Sequence, residues 1–167
     1  ASLTSTAFSG TTTVLGTDAT PAAGDLIING VTVRATNAAD DLLSTDAKAA
    51  SAIAKVAAIN ASSAQTGVVA TVGNTTVGGS AMTAASLTGS ITINGVATAD
   101  FSTSTDAGAS RAMTVAAINA ISDQTGVRAV DTGDVKKGVV LVADDGRNIE
   151  VEFSTANSGN LTAAATE

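Results

Sequence analysis

Asp131-Thr132-Gly133 has the residue types of an aspartic-protease loop. That chemistry needs two such loops, so that two carboxylates share one water. The chain holds one, which reads as a polar turn after the preceding strand. Asp144-Asp145-Gly146 offers oxygen ligands, but lacks the alternate spacing and distant bidentate Glu of a calcium loop. A hairpin turn with Asp-Gly at its centre explains it better. Asp40-Asp41 and the pair Asp131/Asp134 are weak cation candidates, for which solvated surface charge is the simpler reading. There is no Gly-rich phosphate loop of either usual spacing. The chain has no His and no Cys. A Ser-His-Asp triad, a thiol nucleophile, a redox cysteine pair and a zinc site of the usual kind are thereby excluded. Carboxylates alone can cleave glycosides, but no pair stands at a recognisable spacing. No catalytic residue, cofactor or metal ligand is assigned, and the chain is expected not to be an enzyme.

The 167 residues suffice for one ordinary domain or two small ones. The formal net charge of -7 argues against a nucleic-acid partner, which would favour a basic stripe. Trp and Tyr are absent, leaving Phe8, Phe101 and Phe153 as the aromatic side chains. Stacking platforms for bases or sugars are therefore missing. No apolar run approaches a membrane span, so no membrane partner is expected. Small residues dominate, with 35 Ala, 26 Thr and 16 Ser. The 44% hydrophobic fraction argues against disorder. The start lacks the basic and apolar stretches of a signal peptide. Both ends, Ala1–Ser5 and Thr162–Glu167, are small and polar, as expected of a piece of a longer protein.

The elements that position these residues come in two copies. Ile28-Asn29-Gly30-Val31 recurs as Ile93-Asn94-Gly95-Val96, 65 positions later. The block ending in Ile59-Asn60 recurs as Ile118-Asn119, and Thr66-Gly67 recurs as Thr125-Gly126, each 59 later. The order is kept, so chance similarity is a poor explanation. In each copy an alternating strand pattern (Leu26 to Ala35, Ile91 to Thr98) surrounds the Asn-Gly pair. That pair signals a two-residue hairpin turn or a bulge. Asn and Gly both tolerate positive φ, so a backbone role accounts for their recurrence.

An Ala-rich helix follows in each copy. Asp46 or Thr45 is the candidate N-cap of the first, and Ser104, Thr105 or Asp106 of the second. Ile53, Val56 and Ile59 form one apolar stripe, and Met113, Ala116, Ala117 and Ile121 the other. Helix ends are expected near Ser62 and Ser122, with Asn60 and Asn119 as left-handed C-terminal caps. Strands Val68–Val72 and Val127–Val130 return. A final hairpin is expected from Gly138–Ala143 and Asn148–Phe153, and Gly73–Leu87 reads as a loose strand or linker. The expected core is Ile28, Val31, Ile53, Val56, Ile59 and Val68 in the first unit. In the second it is Ile93, Val96, Met113, Ile118, Ile121, Val127, Leu141, Ile149 and Phe153.

The expected fold class is α+β: two related β-α-β units with mostly antiparallel sheets, each packed on one Ala-rich helix. The expected organisation is a lead-in at 1–23, units at 24–88 and 89–157, and an exit linker at 158–167.

The repeated strand, helix ending in Ile-Asn, and Thr-Gly-Val segment together resemble the flagellin hook IN motif. It recurs in the variable outer region of bacterial flagellins and in hook-associated and filament-cap proteins. Here it spans Ile28–Ala70 and Ile93–Ala129, and with the following segment the resemblance covers most of residues 24–155. Asp145-Gly146-Arg147-Asn148 resembles the sequence that often follows the motif in flagellins, and favours flagellin over the cap protein. The first unit departs from the pattern in its longer insert, Ala35 to Thr45. No long heptad-patterned helix stands at either end, so the resemblance implies that the coiled-coil inner domains are not in this sequence.

The resemblance implies an extracellular structural domain on the flagellar filament, acting in motility. Its partners would be other flagellin subunits, mainly through the inner domains, and also host surfaces or antibodies. The fragment alone is expected to be a monomer. Absence of Cys suits export unfolded. The alternatives are the outer domain of a cap or hook-associated protein, or an adhesin-like glycan-binding module. The missing Tyr and Trp count against the last. Exposed Ser and Thr in Ser2–Thr13, Thr75–Thr88 and Ser102–Thr105 are candidate O-glycan acceptors. Asn60-Ala61-Ser62, Asn74-Thr75-Thr76 and Asn160-Leu161-Thr162 fit the N-glycan tripeptide, which arises easily by chance in such a chain.

Overall fold

A computed structural model describes residues 20–153 and 161–166. The lead-in through residue 19, the Ser2–Thr13 stretch and Asn160 lie outside the described residues. The fold is mixed α+β, and every described strand pair is antiparallel.

Both Asn-Gly pairs make hairpin turns. Asn29 and Gly30 have φ of 51° and 79°, and Asn94 and Gly95 have 49° and 79°. This is the two-residue turn with both central residues at positive φ, whose twist matches the flanking strands. The first joins β1 (Ile27–Ile28) to β2 (Val31–Thr32). After β3 (Thr75–Val77) and β4 (Thr88–Gly89), the second joins β5 (Ile91–Ile93) to β6 (Val96–Ala97). The hairpins extend alike: Val33 N donates to Leu26 O at 2.9 Å, and Thr98 N to Ile91 O at 2.8 Å.

The helical arms also match. Helix α1 (Ala52–Asn60) is followed by a short α2 (Ser63–Thr66), and α3 (Ala107–Asn119) by α4 (Ser122–Thr125). Asp106 caps α3, its Oδ1 accepting from Ala109 N at 2.7 Å. Ser51 caps α1, accepting from Ala54 N, in place of the expected Asp46 or Thr45. A 3-10 turn, Lys48–Ala50, intervenes and moves the helix start downstream. Asn60 and Asn119 are not left-handed caps. The residues after them, Ala61 and Ala120, remain right-handed at φ of −59° and −65°. The left-handed stop comes one short helix later, at Gly67 and Gly126, where Gly carries no Cβ penalty.

Strand pairing departs from the expected hairpin. Strand β9 (Val139–Ala143) lies between β3 and β8 (Arg128–Asp131), so both of its edges are occupied. Strand β10 (Val151–Phe153) therefore pairs elsewhere, with β5, in the order β10-β5-β6. The segment Gly73–Leu87, expected as a loose strand or linker, contributes the strand β3 to the sheet, with Thr75 opposite Ala143. Residues 68–72 form no strand. Strand β7 (Phe101–Ser102) pairs with β4.

The core belongs mainly to the second copy and β9. Ile91, Ile93, Ile118, Ile121, Val127, Leu141 and Ile149 are buried together. Burying each of these side chains stabilises by about 1.5–3 kcal/mol. Leu161, in the stretch expected to be an exit linker, joins this core, and α5 (Ala163–Thr166) packs on α3. Val96 and Phe153 pack on its margin, whereas Met113 is exposed. The inward face of α3 instead carries Ser110, Arg111, Thr114 and Ile118.

In the first copy, Ile28, Val31, Ile53, Val56 and Ile59 are half-buried and Val68 is exposed. Ala54 and Ala58 are the buried residues of α1. The cause is the insert at 35–45. It folds into a 3-10 turn (Ala38–Asp40) with a capping box from Asn37, and α1 packs on the two 3-10 turns rather than on a sheet. Close approach of such turns favours Ala facing inward.

Candidate functional site

The recurring residues form the same latch twice. Asn60 Oδ1 accepts from Ala70 N at 2.8 Å, and its Nδ2 donates to Ala70 O at 3.0 Å. Asn119 holds Ala129 in the same way, at 2.7 and 3.1 Å. One side-chain amide thus satisfies both backbone groups of one residue on the returning segment. In the hairpin turns, Asn29 Nδ2 donates to Thr66 O at 2.8 Å and Asn94 Nδ2 to Thr125 O at 3.1 Å. Thr66 and Thr125 accept with their hydroxyls from Val68 N and Val127 N. Each copy is therefore a hairpin clamped to the end of its helical arm. Ile28 and Ile93 precede the turns, and Ile59 and Ile118 precede the latching Asn residues. Ile93 and Ile118 are buried, while Ile28 and Ile59 are half-buried.

Asp145-Gly146-Arg147-Asn148 closes the second latch and ties it to the first unit. Arg147 Nη1 donates to Thr125 O at 3.0 Å, so that carbonyl accepts from both Arg147 and Asn94. Arg147 Nε and Nη2 donate to the Asp145 carboxylate. Asn148 N donates to Ser44 Oγ at 2.9 Å, and Asn148 Nδ2 to the carbonyls of Asp46 and Ala47. This junction was not legible in the sequence, because the partners lie 104 residues apart and Ser44 carries no local signal. Gly146, at φ of 77°, makes the turn, and its N donates to Ala143 O.

The acidic candidates are engaged in turns and ion pairs. Asp131 Oδ1 accepts from Gly133 N at 2.8 Å and from the buried Arg111 Nε at 2.6 Å. The Gly133 amide, with Arg111 beside it, holds the Asp131 carboxyl below its ordinary range despite partial burial. Burial opposes ionisation of Asp145, but Arg147 outweighs it and the carboxyl is also held low. Asp41 is fully buried in the insert, with Oδ1 accepting from Leu43 N and Ser44 N. Burial again opposes its charge, and the neighbouring Ser44, Ser51 and Leu43 donors outweigh that. Asp40 pairs with Arg34 at 2.8 Å, and Asp144 with Arg128 at 2.9 Å. Among the described residues, no three acidic side chains converge as a metal site, and no helix is long and apolar enough to cross a membrane.

A cavity of about 420 Å³ lies between the two three-stranded sheets and α3. Val77, Ile91, Leu141, Val151 and Phe153 line it, with Asp46 and Glu150 as its ionisable side chains. Thr114 Oγ1 is buried along it and has no hydrogen-bond partner among the described residues. No sequence motif marks this cavity, since segments far apart in the chain, from Asp46 to Thr166, build its wall.

Of the candidate glycan acceptors, Thr75 and Thr103 are buried, and Thr103 Oγ1 donates to Ala85 O at 2.7 Å. Thr83, Ser86, Thr88, Ser102 and Thr105 are exposed. The Asn60 amide, in one of the N-glycan tripeptides, is committed to its latch.

No protein-family model and no curated protein matches the sequence.

Proposed function

We propose that this chain is the solvent-exposed outer domain of a flagellin, carried on the surface of a bacterial flagellar filament outside the cell. The role is structural rather than enzymatic: it covers the shaft and sets surface charge, antigenicity and contacts between neighbouring subunits. The observation that carries the reading is the twofold occurrence of Ile-Asn-Gly, Ile-Asn and Thr-Gly in fixed order. Every polar residue of that pattern is used for a backbone turn or latch, and none is left over for catalysis. The net charge of -7 suits a surface repeated many times, because like charge discourages bundling. Exposed Ile27, Leu42 and Val69 offer apolar contact points to neighbouring copies.

Immunogold electron microscopy of the source cells, with antibody raised against this domain, tests the proposal. Label along the whole filament is expected. Label confined to tips or hook junctions would move the domain to a cap or hook-associated protein. Absence of filament label would overturn the reading.

A further inference from the structure

Asn29-Gly30 and Asn94-Gly95 share sequence and turn geometry but not surroundings. Asn29 and Gly30 are both exposed. Their hairpin has two residues per strand and, among the described residues, no third strand. Among the described residues the Asn29 side chain makes one hydrogen bond, to Thr66 O. Asn94 is only 6% exposed, and its hairpin is joined by β10. Its Oδ1 accepts from Glu150 N at 2.8 Å, its own N donates to Glu150 O at 3.0 Å, and its Nδ2 donates to Thr125 O.

We infer that Asn29 is a site of spontaneous covalent modification, converted to aspartate or isoaspartate, and that Asn94 is protected from the same reaction. Glycine after asparagine leaves the following amide nitrogen unhindered, because it has no side chain. The Gly30 nitrogen forms a bond to Asn29 Cγ, and the Cγ–Nδ2 bond breaks. Nδ2 leaves as ammonia, taking the proton from the Gly30 amide, and a five-membered succinimide remains. Water then adds to either ring carbonyl and opens it. The balance is one water consumed and one ammonia released, with no oxidant or metal.

Ring closure requires the asparagine to leave its positive-φ turn, so the rate follows the free energy of local opening. A two-stranded hairpin of this size is marginal by itself. Opening the Asn94 turn breaks additional hydrogen bonds and disturbs fully buried Ile93. After conversion, the carboxylate at position 29 has no hydrogen to give the Thr66 carbonyl. The hydrogen bond that clamps the first hairpin to its helical arm is then lost, and the chain becomes one unit more negative. This chemistry is independent of the filament role.

The test is to incubate the folded 167-residue protein at mildly alkaline pH, then digest it with trypsin and read the peptides by mass spectrometry with isoaspartate-sensitive fragmentation. Asn29 is the only Asn before Arg34, the first tryptic site, and Asn94 falls in the peptide ending at Arg111. In the folded protein, Asn29 should convert faster than Asn94 by on the order of tenfold or more, from the extra hydrogen bonds alone. In urea the two rates should converge. Equal rates in the folded protein, faster conversion of Asn94, or no conversion of Asn29 would each overturn the inference.

Discussion

The guanidinium of Arg147 occupies the space that a side chain on Gly126 would need. Its Nη1 donates to the carbonyl of Thr125, the residue before that glycine. Gly126 is therefore constrained twice: its φ of 70° disfavours an L side chain, and Arg147 fills the position of a Cβ. Gly67, the matching residue of the first copy, has φ of 69° and open space around its Cβ position.

Gly67→Ala should cost about 1–2 kcal/mol, the backbone penalty alone. Gly126→Ala should cost more, because Arg147 must also leave the Thr125 carbonyl, a charged hydrogen bond worth about 1.5–3 kcal/mol. Urea denaturation of both variants checks the order. Equal midpoints would mean that Arg147 gives way freely.

Asn119→Ala should destabilise by about 1–3 kcal/mol, since it leaves polar groups of buried Ala129 without partners. Asn60→Ala should cost less, because Ala70 is only half-buried and water can replace the lost bonds. Amide hydrogen exchange at Ala129 and Ala70 should show the matching loss of protection at each site.

Ala47 is held at φ of 48°, with its carbonyl accepting from Asn148 Nδ2 at 3.3 Å. Ala47→Gly should raise stability by about 1 kcal/mol, relieving the left-handed strain against a smaller entropic loss. Asn148→Ala should lower it by about 1–3 kcal/mol, as two carbonyls lose a donor. Thermal unfolding of both variants, with opposite shifts, is the check.

The carboxyls of Asp41, Asp131 and Asp145 are all held below their ordinary range in the folded chain. A depressed folded value stabilises above the unfolded value, which is about 3.9. That stability is lost as pH falls through the folded values. Urea midpoints should therefore be flat above about pH 5 and fall steadily in more acid solution. Asp145→Asn should flatten part of this acid limb. An unchanged limb would mean that the Arg147 pairing forms equally in the unfolded chain.

Local elements were legible wherever a short-range backbone preference decided them. Asn29-Gly30 and Asn94-Gly95 turn the chain because both residues accept positive φ. Asp106 caps α3 because its side chain reaches the amide three residues on. Propensity alone misplaces the helix stops, since Asn60 and Asn119 also fit a cap. Only the neighbouring Ala70 and Ala129 show that their amides are needed across the chain. Periodicity overestimates the first-copy core for a related reason. The periodicity of Ile53, Val56 and Ile59 does not reveal that 3-10 turns, rather than a sheet, would cover α1.

The sequence by itself determined the two copies, their turns, their helical arms and the absence of His and Cys chemistry, because these depend on residue type and near-neighbour spacing. Tertiary structure alone decided that β9 sits between β3 and β8, that β10 completes the β5 sheet, and that Asn148 reaches Ser44. A strand's alternation fixes which face it buries but leaves both edges equally able to pair. Which edge is filled depends on what the rest of the chain leaves free, and that is settled only when distant segments meet.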